Sequence, residues 1–354
     1  MKFSIASLGE EPADRFVPYV RLCELLGFDS FCHADEKWTR DVYVRLALAG
    51  AATTRIGLGI TVTDPYTRHP ALTAQATATL SEATGGRLRV VLGAGSHFET
   101  LPGYSSVRPA VAIREAAGLM RRLWGGERVT LDGEIVKFAN GTFDFELAPE
   151  HRPELWVAGR GEHVLATGGA VADGVLIGSF ATPEGIRWAK SKIERGLAQA
   201  GRTWADVRLA SWLYVAVLDH EDDPVPDGVR RGVSHALWSS RAVVEGLLEG
   251  VELDDAGEFR QFLHDAPHEW SPEVMAELRR LIPRRVFDVL ALVGTVDQVA
   301  DRLAALAAEG VEECVAWPFP PDGVDVEDYA IKLGSELLPR VRGLRSRGAY
   351  RLVD

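Results

Sequence analysis

Residues 55–96 read RIGLGITVTDPYTRHPALTAQATATLSEATGGRLRVVLGAGS. A β-branched run, Ile56 to Val62, leads into a polar loop. Pro70 has the fixed φ that opens a helix, and the helical stretch stops at Gly85-Gly86, where left-handed backbone is sterically free. A second apolar run, Arg89 to Leu92, follows. Two such strands joined through a helix form a parallel pair, because parallel neighbours need a crossover. The same alternation continues in both directions. Toward the N-terminus, Phe3 to Ala6 and Phe28 to His33 read as strands. Between them Asp14 to Leu26 places Phe16, Val20, Leu22, Leu25 and Leu26 at helical spacing, with Gly27 as the cap, and Val42 to Ala52 supplies the next helix. Toward the C-terminus a helix spans Ala110 to Leu123. A hairpin lies within Val129 to Phe145, turning at Asp132-Gly133 or Asn140-Gly141. Strands then fall at Leu155 to Val157, Val175 to Ile177, Leu209 to Leu218 and Val311 to Trp317.

Eight strands alternating with helices predict an α/β protein, specifically a (β/α)8 TIM barrel. An open doubly wound sheet is the competitor. It would require a phosphate-binding glycine motif after the first strand, and Leu8-Gly9-Glu10 is not one. The seventh and eighth strands are separated by an insertion, about 219–296, read as helical around Val233 to Leu248 and Pro272 to Leu281. It opens on Asp219-His220-Glu221-Asp222-Asp223-Pro224 at the carboxyl end of a barrel strand, the position of a lid or substrate wall. Residues 1–354 are expected to form a single domain carrying that insertion.

Composition narrows the chemistry. Acidic residues number 51 against 39 basic, a formal charge of −12, which argues against nucleic acid or an anionic membrane as partner. Cys23, Cys32 and Cys314 are too few and too scattered for a disulfide frame and read as small buried hydrophobes. The N-terminus turns acidic at once, unlike a signal peptide, and no run approaches the ~18 apolar residues of a membrane span, so a cytoplasmic enzyme is expected. The sequence contains no G-x-S-x-G, H-E-x-x-H, Walker A or C-x-x-C motif. His33, Asp35 and Glu36 lack the spacing of a metal site, and no metal is expected.

In a barrel, chemistry collects where strands end. The first strand ends on Gly9, Glu10 and Glu11, and the second on His33, Asp35, Glu36 and Trp38. The third ends on Thr61 to Pro70, and the fourth on Gly93, Gly95, Ser96, His97 and Glu99. Gly159-Arg160-Gly161-Glu162 follows the fifth, and Gly178 with Ser179 the sixth. The Gly159-Arg160-Gly161 turn precedes a helix, so free N–H groups and a guanidinium would suit a phosphate; a plain strand-to-helix turn reads the same. Gly57, Gly59, Thr61 and Thr63 make the third strand poor in large side chains, which suits a flat ring against the backbone, a barrel-corner bulge, or both. Glu10 and Glu11 sit before a helix, whose positive end favours carboxylates for structural reasons as well.

These residues carry a resemblance. FCHADE (31–36), RIGLGITVTDPYTRHP (55–70), ATGGRLRVVLGAGS (83–96), PELWVAGRGEHVLATGGAVADGVLIG (153–178) and VGTVDQVADRLAALAAEGVEE (293–313) resemble the bacterial luciferase-like flavin and deazaflavin superfamily. The likeness is to its coenzyme F420-dependent, methylenetetrahydromethanopterin reductase-like branch, and it runs from Met1 to about Arg342. It implies a homodimeric barrel that holds F420 over its mouth and transfers a hydride between reduced deazaflavin and a small organic substrate. An FMN-dependent luciferase-like monooxygenase is the alternative, and a non-catalytic flavin-binding relative a third reading. By the same resemblance, Thr61-Val62 falls where relatives carry a non-proline cis peptide backing the ring, with Thr63 beside it. Asp35 matches a ring-edge aspartate, and Gly95, Ser96 and His97 match ring contacts of the fourth strand. Gly159, Arg160, Gly161 and Glu162 match the phosphate loop, with Gly178 at the next strand end. Glu10 aligns with a protonic glutamate. The F420-dependent dehydrogenases carry Asp-His where this chain has Asp35-Glu36, so acid–base work falls to Glu36 or His97 and the reaction shifts toward a reductase. Arg160 and Arg187 are candidates for the acidic tail of F420, and Trp38, Trp238 and Trp317 for a substrate wall.

Overall fold

The computed structural model of the chain describes residues 1–9, 11–96, 98–239, 271–282 and 284–344. Glu10, His97 and residues 240–270 of the predicted insertion lie outside the described residues, as does the side chain of Trp238. The fold is an α/β (β/α)8 barrel, in which parallel strands alternate with helices. The chain divides into two compact units, a larger one of Phe3–Leu176 with Lys190–Ala210 and a smaller one of Met1–Lys2, Ile177–Ala189 and Ser211–Asp354.

The larger unit carries β1 (Lys2–Ser7), α1 (Ala13–Leu26), β2 (Ser30–His33), α2 (Val42–Ala52), β3 (Gly57–Thr63), α3 (Pro70–Ala83), β4 (Leu88–Leu92) and α4 (Pro109–Trp124). A hairpin of β5 (Val129–Asp132) and β6 (Lys137–Gly141) precedes β7 (Glu154–Gly159), α5 (Glu162–Val171) and, in part, β8 (Gly174–Gly178). Its strands lie in the order β1-β2-β3-β4-β7-β8. Phe3, Ile5, Phe31, Leu58, Ile60, Val90, Val91, Leu155 and Val157 are buried, as expected of parallel strands covered on both faces. Each such side chain contributes roughly 1.5–3 kcal/mol of transfer free energy.

Local chemistry sets the helix ends. Gly27 adopts φ 88° and closes α1 by donating its N–H to the Cys23 carbonyl. The Asp41 carboxylate accepts from Val44 N–H at the start of α2. Pro70 occupies the first turn of α3, and the His69 ring accepts from Ala71 N–H before it. The hairpin turns at Asp132-Gly133 and not at Asn140-Gly141, because the Glu115 carboxylate on α4 accepts from the N–H groups of Glu134, Ile135 and Val136. All three cysteines are buried free thiols.

The smaller unit holds α6 (Pro183–Gln199, in part), β9 (Arg208–Val217), α7 (Asp227–Ser239), α8 (Pro272–Leu281), α9 (Arg284–Leu290), β10 (Ala291–Gly294), α10 (Val296–Ala308) and β11 (Glu313–Pro318), followed by α11 (Val326–Lys332) and α12 (Leu338–Arg342). Its strands run β10-β9-β11. The insertion is thus not helical throughout. It ends in β10, which pairs in parallel with β9 from Ala291↔Tyr214 to Gly294↔Val217. Among the described residues no helix is long and apolar enough to cross a membrane.

Candidate functional site

The ladder of the larger unit aligns four strand ends. His33 pairs with Ile60, Thr63 with Leu92, and Leu92 with Val157, so the segments after β2, β3, β4 and β7 leave the sheet along one edge. Three segments named from sequence, Asp35-Glu36, Thr61-Thr63 and Gly95-Ser96, are drawn together there by hydrogen bonds and close contacts; Gly159-Glu162 leaves the adjoining strand.

At the centre is a non-proline cis peptide between Thr61 and Val62. The β3–β4 register shifts between Thr61 and Thr63, leaving Val62 as a bulge. The Val62 carbonyl accepts from Asp35 N–H at 3.3 Å, and its side chain lies against Gly93, where an added Cβ would approach Val62 Cγ2 to 3.1 Å. Glycine at 93 therefore lets β4 close against the bulge.

Asp35 and Thr63 meet across β2 and β3, with the Thr63 hydroxyl donating to Asp35 Oδ2 at 2.7 Å. Burial holds the Asp35 carboxyl above its ordinary value, and the carboxylates of Asp64 and Asp41 push the same way. Thr63's hydrogen bond and Lys37 oppose them. Glu36 and Ser96 also meet, the serine hydroxyl donating to Glu36 Oε1 at 3.2 Å.

Asp64 organises the loop beneath. Its Oδ1 accepts from the N–H groups of Tyr66 and Thr67 at 2.8 Å each, while Oδ2 accepts from Thr67 Oγ1 at 2.9 Å and Lys37 Nζ at 3.1 Å. Lys37 lies 4.3 Å from the centre of the Phe98 ring, which packs edge-on against Tyr66. Gly95 has φ 74°, and a Cβ there would come within 2.7 Å of Asp64 Cβ and 2.8 Å of Phe98 Cζ. Both the backbone angle and the space demand glycine. Trp38 is 68% exposed, in left-handed backbone, with its indole N–H donated to Thr100 Oγ1 at 2.8 Å.

The end of β1 is fixed differently from the expectation that Glu11 serves the start of α1. Glu11 accepts from Ser7 Oγ at 2.8 Å and from Arg45 Nη2 on α2 at 3.2 Å. No side chain caps α1 at Pro12. Gly9 takes φ 84° and fits against His33, whose Cε1 would lie 2.7 Å from an added Cβ. The His33 ring donates from Nδ1 to the Ala34 carbonyl at 2.7 Å, and burial pushes its pKa down to about 4, so it is neutral near pH 7. It is a structural histidine.

At the end of β7, Gly161 caps α5 without any side-chain hydrogen bond, and a Cβ built on it meets nothing within 4 Å. The space beside Gly161 is thus open at the start of this ten-residue helix, where the positive end of its dipole lies. This is the arrangement that receives an anion. Glu162 contributes backbone there; its carboxylate lies 3.6 Å from Arg195 and 3.4 Å from His163. Arg187 is already bonded at 2.5 Å to both Glu184 and Glu309, which argues against a second acidic partner. Gly178 ends β8; the Ser179 N–H after it donates to the Trp212 carbonyl at 2.7 Å, and Trp317 packs on Trp212 and Tyr214, all within the smaller unit. No cluster of three or more metal-ligating side chains occurs among the described residues.

Sequence reading passed over Lys37 and Tyr43. Tyr43 lies in the first turn of α2 with the Arg68 guanidinium 4.6 Å from its ring centre. Burial, then the charge of Asp35, pushes its phenol up to about 12. Its position one residue into a capped helix directly after the second strand's loop was the available signal.

Comparison with known proteins gives the family. The family model for luciferase-like monooxygenases matches residues 1–313. A 5,10-methylenetetrahydromethanopterin reductase of Archaeoglobus fulgidus is 30% identical over 346 residues, covering 97% of this chain and all of the relative. The solved coenzyme F420-dependent tetrahydromethanopterin reductase from Methanopyrus kandleri superposes with TM-score 0.81 at 25% identity, over 96% of this chain and 99% of that one. The monooxygenase RslO1 from Streptomyces bottropensis shares the fold alone, at TM-score 0.64 and 21% identity over 96% of this chain and 99% of that one. With a family match across 313 residues and a relative alike over its full length, the chain belongs to the luciferase-like monooxygenase family.

Proposed function

We propose that the protein is an F420-dependent oxidoreductase that transfers a hydride between reduced deazaflavin and a small organic substrate of the methylenetetrahydropterin class. The observation that carries this reading is the shared edge of β2, β3, β4 and β7. A flat backing at Thr61-Val62, a protonatable carboxyl at Asp35 and an uncapped helix start at Gly161 suit one ligand with a planar ring and an anionic tail. A 5,10-methylenetetrahydromethanopterin reductase is 30% identical and a coenzyme F420-dependent tetrahydromethanopterin reductase of solved structure 25% identical, whereas the monooxygenase compared is alike in fold only. F420 is therefore favoured over FMN.

When bound, F420 supplies a carbon-borne hydride and the protein supplies position and charge. The Thr61-Val62 bulge, with Gly93 packed against it, would back one face of the ring, and Gly95 with Ser96 would border it. Asp35 would lie at the edge of the ring, where its carboxyl could hold or release a proton. The N–H groups of Gly161 and Glu162, with Gly159 shaping the turn and Arg160 beside it, would bind the phosphate, and Gly178 keeps the cofactor-contact role that the family resemblance implies. Glu36, hydrogen-bonded to Ser96, moves the substrate proton, and Glu10 and His97 keep the acid–base roles the family resemblance implies. Trp38 offers an apolar plate for a substrate. We expect the enzyme to act in the cytoplasm.

Titration of the purified protein with F420 and with FMN, followed by turnover of reduced F420 with a methylenetetrahydropterin, tests the reading. Saturable F420 binding with turnover is expected; tight FMN binding with no F420 binding would replace it with the monooxygenase. A homodimer is also expected, since Val44 and Leu48 on α2 and Leu72 on α3 are exposed apolar side chains on neighbouring helices. Sedimentation should give twice the 38.6 kDa chain mass, and Leu48→Glu should return it to one.

A further inference from the structure

We propose that Thr63 and Tyr43 are positioning residues for Asp35, a hydroxyl relay from α2 through β3 that orients the ring-edge carboxyl and governs its ionisation. The inference rests on the F420 reading for the purpose of Asp35, but the relay is a property of this chain's own side chains.

Thr63 has a single hydroxyl proton, and at 2.7 Å it is donated to Asp35 Oδ2. Thr63 is itself buried at the end of β3, so its side chain is fixed by the sheet rather than by solvent. Behind it stands the Tyr43 hydroxyl, beside those of Thr63 and Thr73. The Tyr43 and Thr73 hydroxyls are buried, and neither finds a partner at regular hydrogen-bond geometry. Buried hydroxyls without partners are rare, since each forfeits its hydration. Here they flank the hydroxyl that addresses Asp35. Rotation of the Tyr43 O–H toward Thr63 Oγ1 would fill a threonine lone pair and leave the threonine proton only one direction, toward Asp35. A donor polarised in this way is also a stronger one.

The charged groups around Asp35 make the relay consequential. Asp64, on the loop after β3, and Asp41, at the cap of α2, both disfavour the carboxylate, as burial does; Lys37 favours it. Arg68 lies over the Tyr43 ring and favours a negative charge nearby. Thr63 supplies the hydrogen bond that favours the ionised carboxyl against this excess of opposing influences. Burial holds Tyr43 at about 12, so it stays protonated and acts as a donor across the working pH range.

The test uses full-length protein without cofactor, with the carboxyl of Asp35 followed by carbon NMR across pH, and F420 affinity measured over the same range. Thr63→Val should move the Asp35 titration to higher pH and weaken F420 binding about 10-fold near neutrality, the size of a lost hydrogen bond to a charged group. Thr63→Ser should restore both. Tyr43→Phe should move the titration in the same direction by less. A purely structural role predicts lowered thermal midpoints with the Asp35 titration unmoved in Thr63→Val and Tyr43→Phe, and that result overturns the relay. If wild-type protein fails to bind F420 while the Asp35 titration still responds to both variants, the F420 reading fails and the relay stands.

Discussion

The two ends of the strands in the larger unit differ in how completely their polar groups are satisfied. At the N-terminal end, the Arg87 guanidinium before β4 donates to the carbonyls of Thr84, Ile56, Thr53 and Gly50. Glu24 on α1 accepts from the N–H groups of Thr54, Arg55 and Ile56 before β3. Burial pushes its carboxyl up, yet those three donors outweigh the burial and hold it below its ordinary value. At the C-terminal end, Thr61, Tyr43, Thr73 and Arg68 each keep a buried polar atom without a partner, and α5 begins uncapped. The contrast teaches where each kind of work is done. One end fastens helix to strand through Arg87 and Glu24, and the other leaves buried polar groups beside the candidate site.

Substitutions at the two ends should therefore separate stability from binding. The largest effect is expected at the saturated end. Arg87→Ala strips the donor from four carbonyls and should lower unfolding free energy by about 3 kcal/mol, read by urea denaturation, while F420 affinity stays within about two-fold. A loss of affinity as large as the loss of stability would erase the separation. At the C-terminal end the Thr63 and Tyr43 substitutions should do the reverse, moving the Asp35 titration and affinity more than the thermal midpoint.

Much of this was legible in the sequence, and the illegible remainder shares one physical cause. Strand and helix positions were readable because Pro70, Gly27 and Gly85-Gly86 act locally, on their own backbone angles. β10 was not, because four residues, Ala291–Gly294, follow directly on α9 with no punctuation and are strand only by pairing with β9. The hairpin turn was ambiguous until Glu115, distant along the chain, chose between two dipeptides. The candidate site follows the same rule. The segments were visible as polar strand ends, and the cis peptide followed from family resemblance. The pairings of Asp35 with Thr63, Glu36 with Ser96 and Lys37 with Asp64 depend on ladder register, which composition does not encode. Arg187, a candidate in sequence for the acidic tail of F420, is paired with Glu184 and Glu309 in the fold.

The smallest change goes to the heart of the account, that the open start of α5 receives the anionic tail of a ring bound across β2, β3 and β4. Gly161 has φ −80° and ψ 147°, allowed to any residue, with open space where a side chain would go, so Gly161→Asp should fold. Its carboxylate would cap the helix, leaving stability equal or higher by about 0.5–1 kcal/mol, while repelling an anion. Side-by-side fluorescence titrations of wild type and Gly161→Asp with F420 should show one saturable site in the first and at least ~10-fold weaker binding in the second. Equal affinities, or no site in either protein, would contradict it.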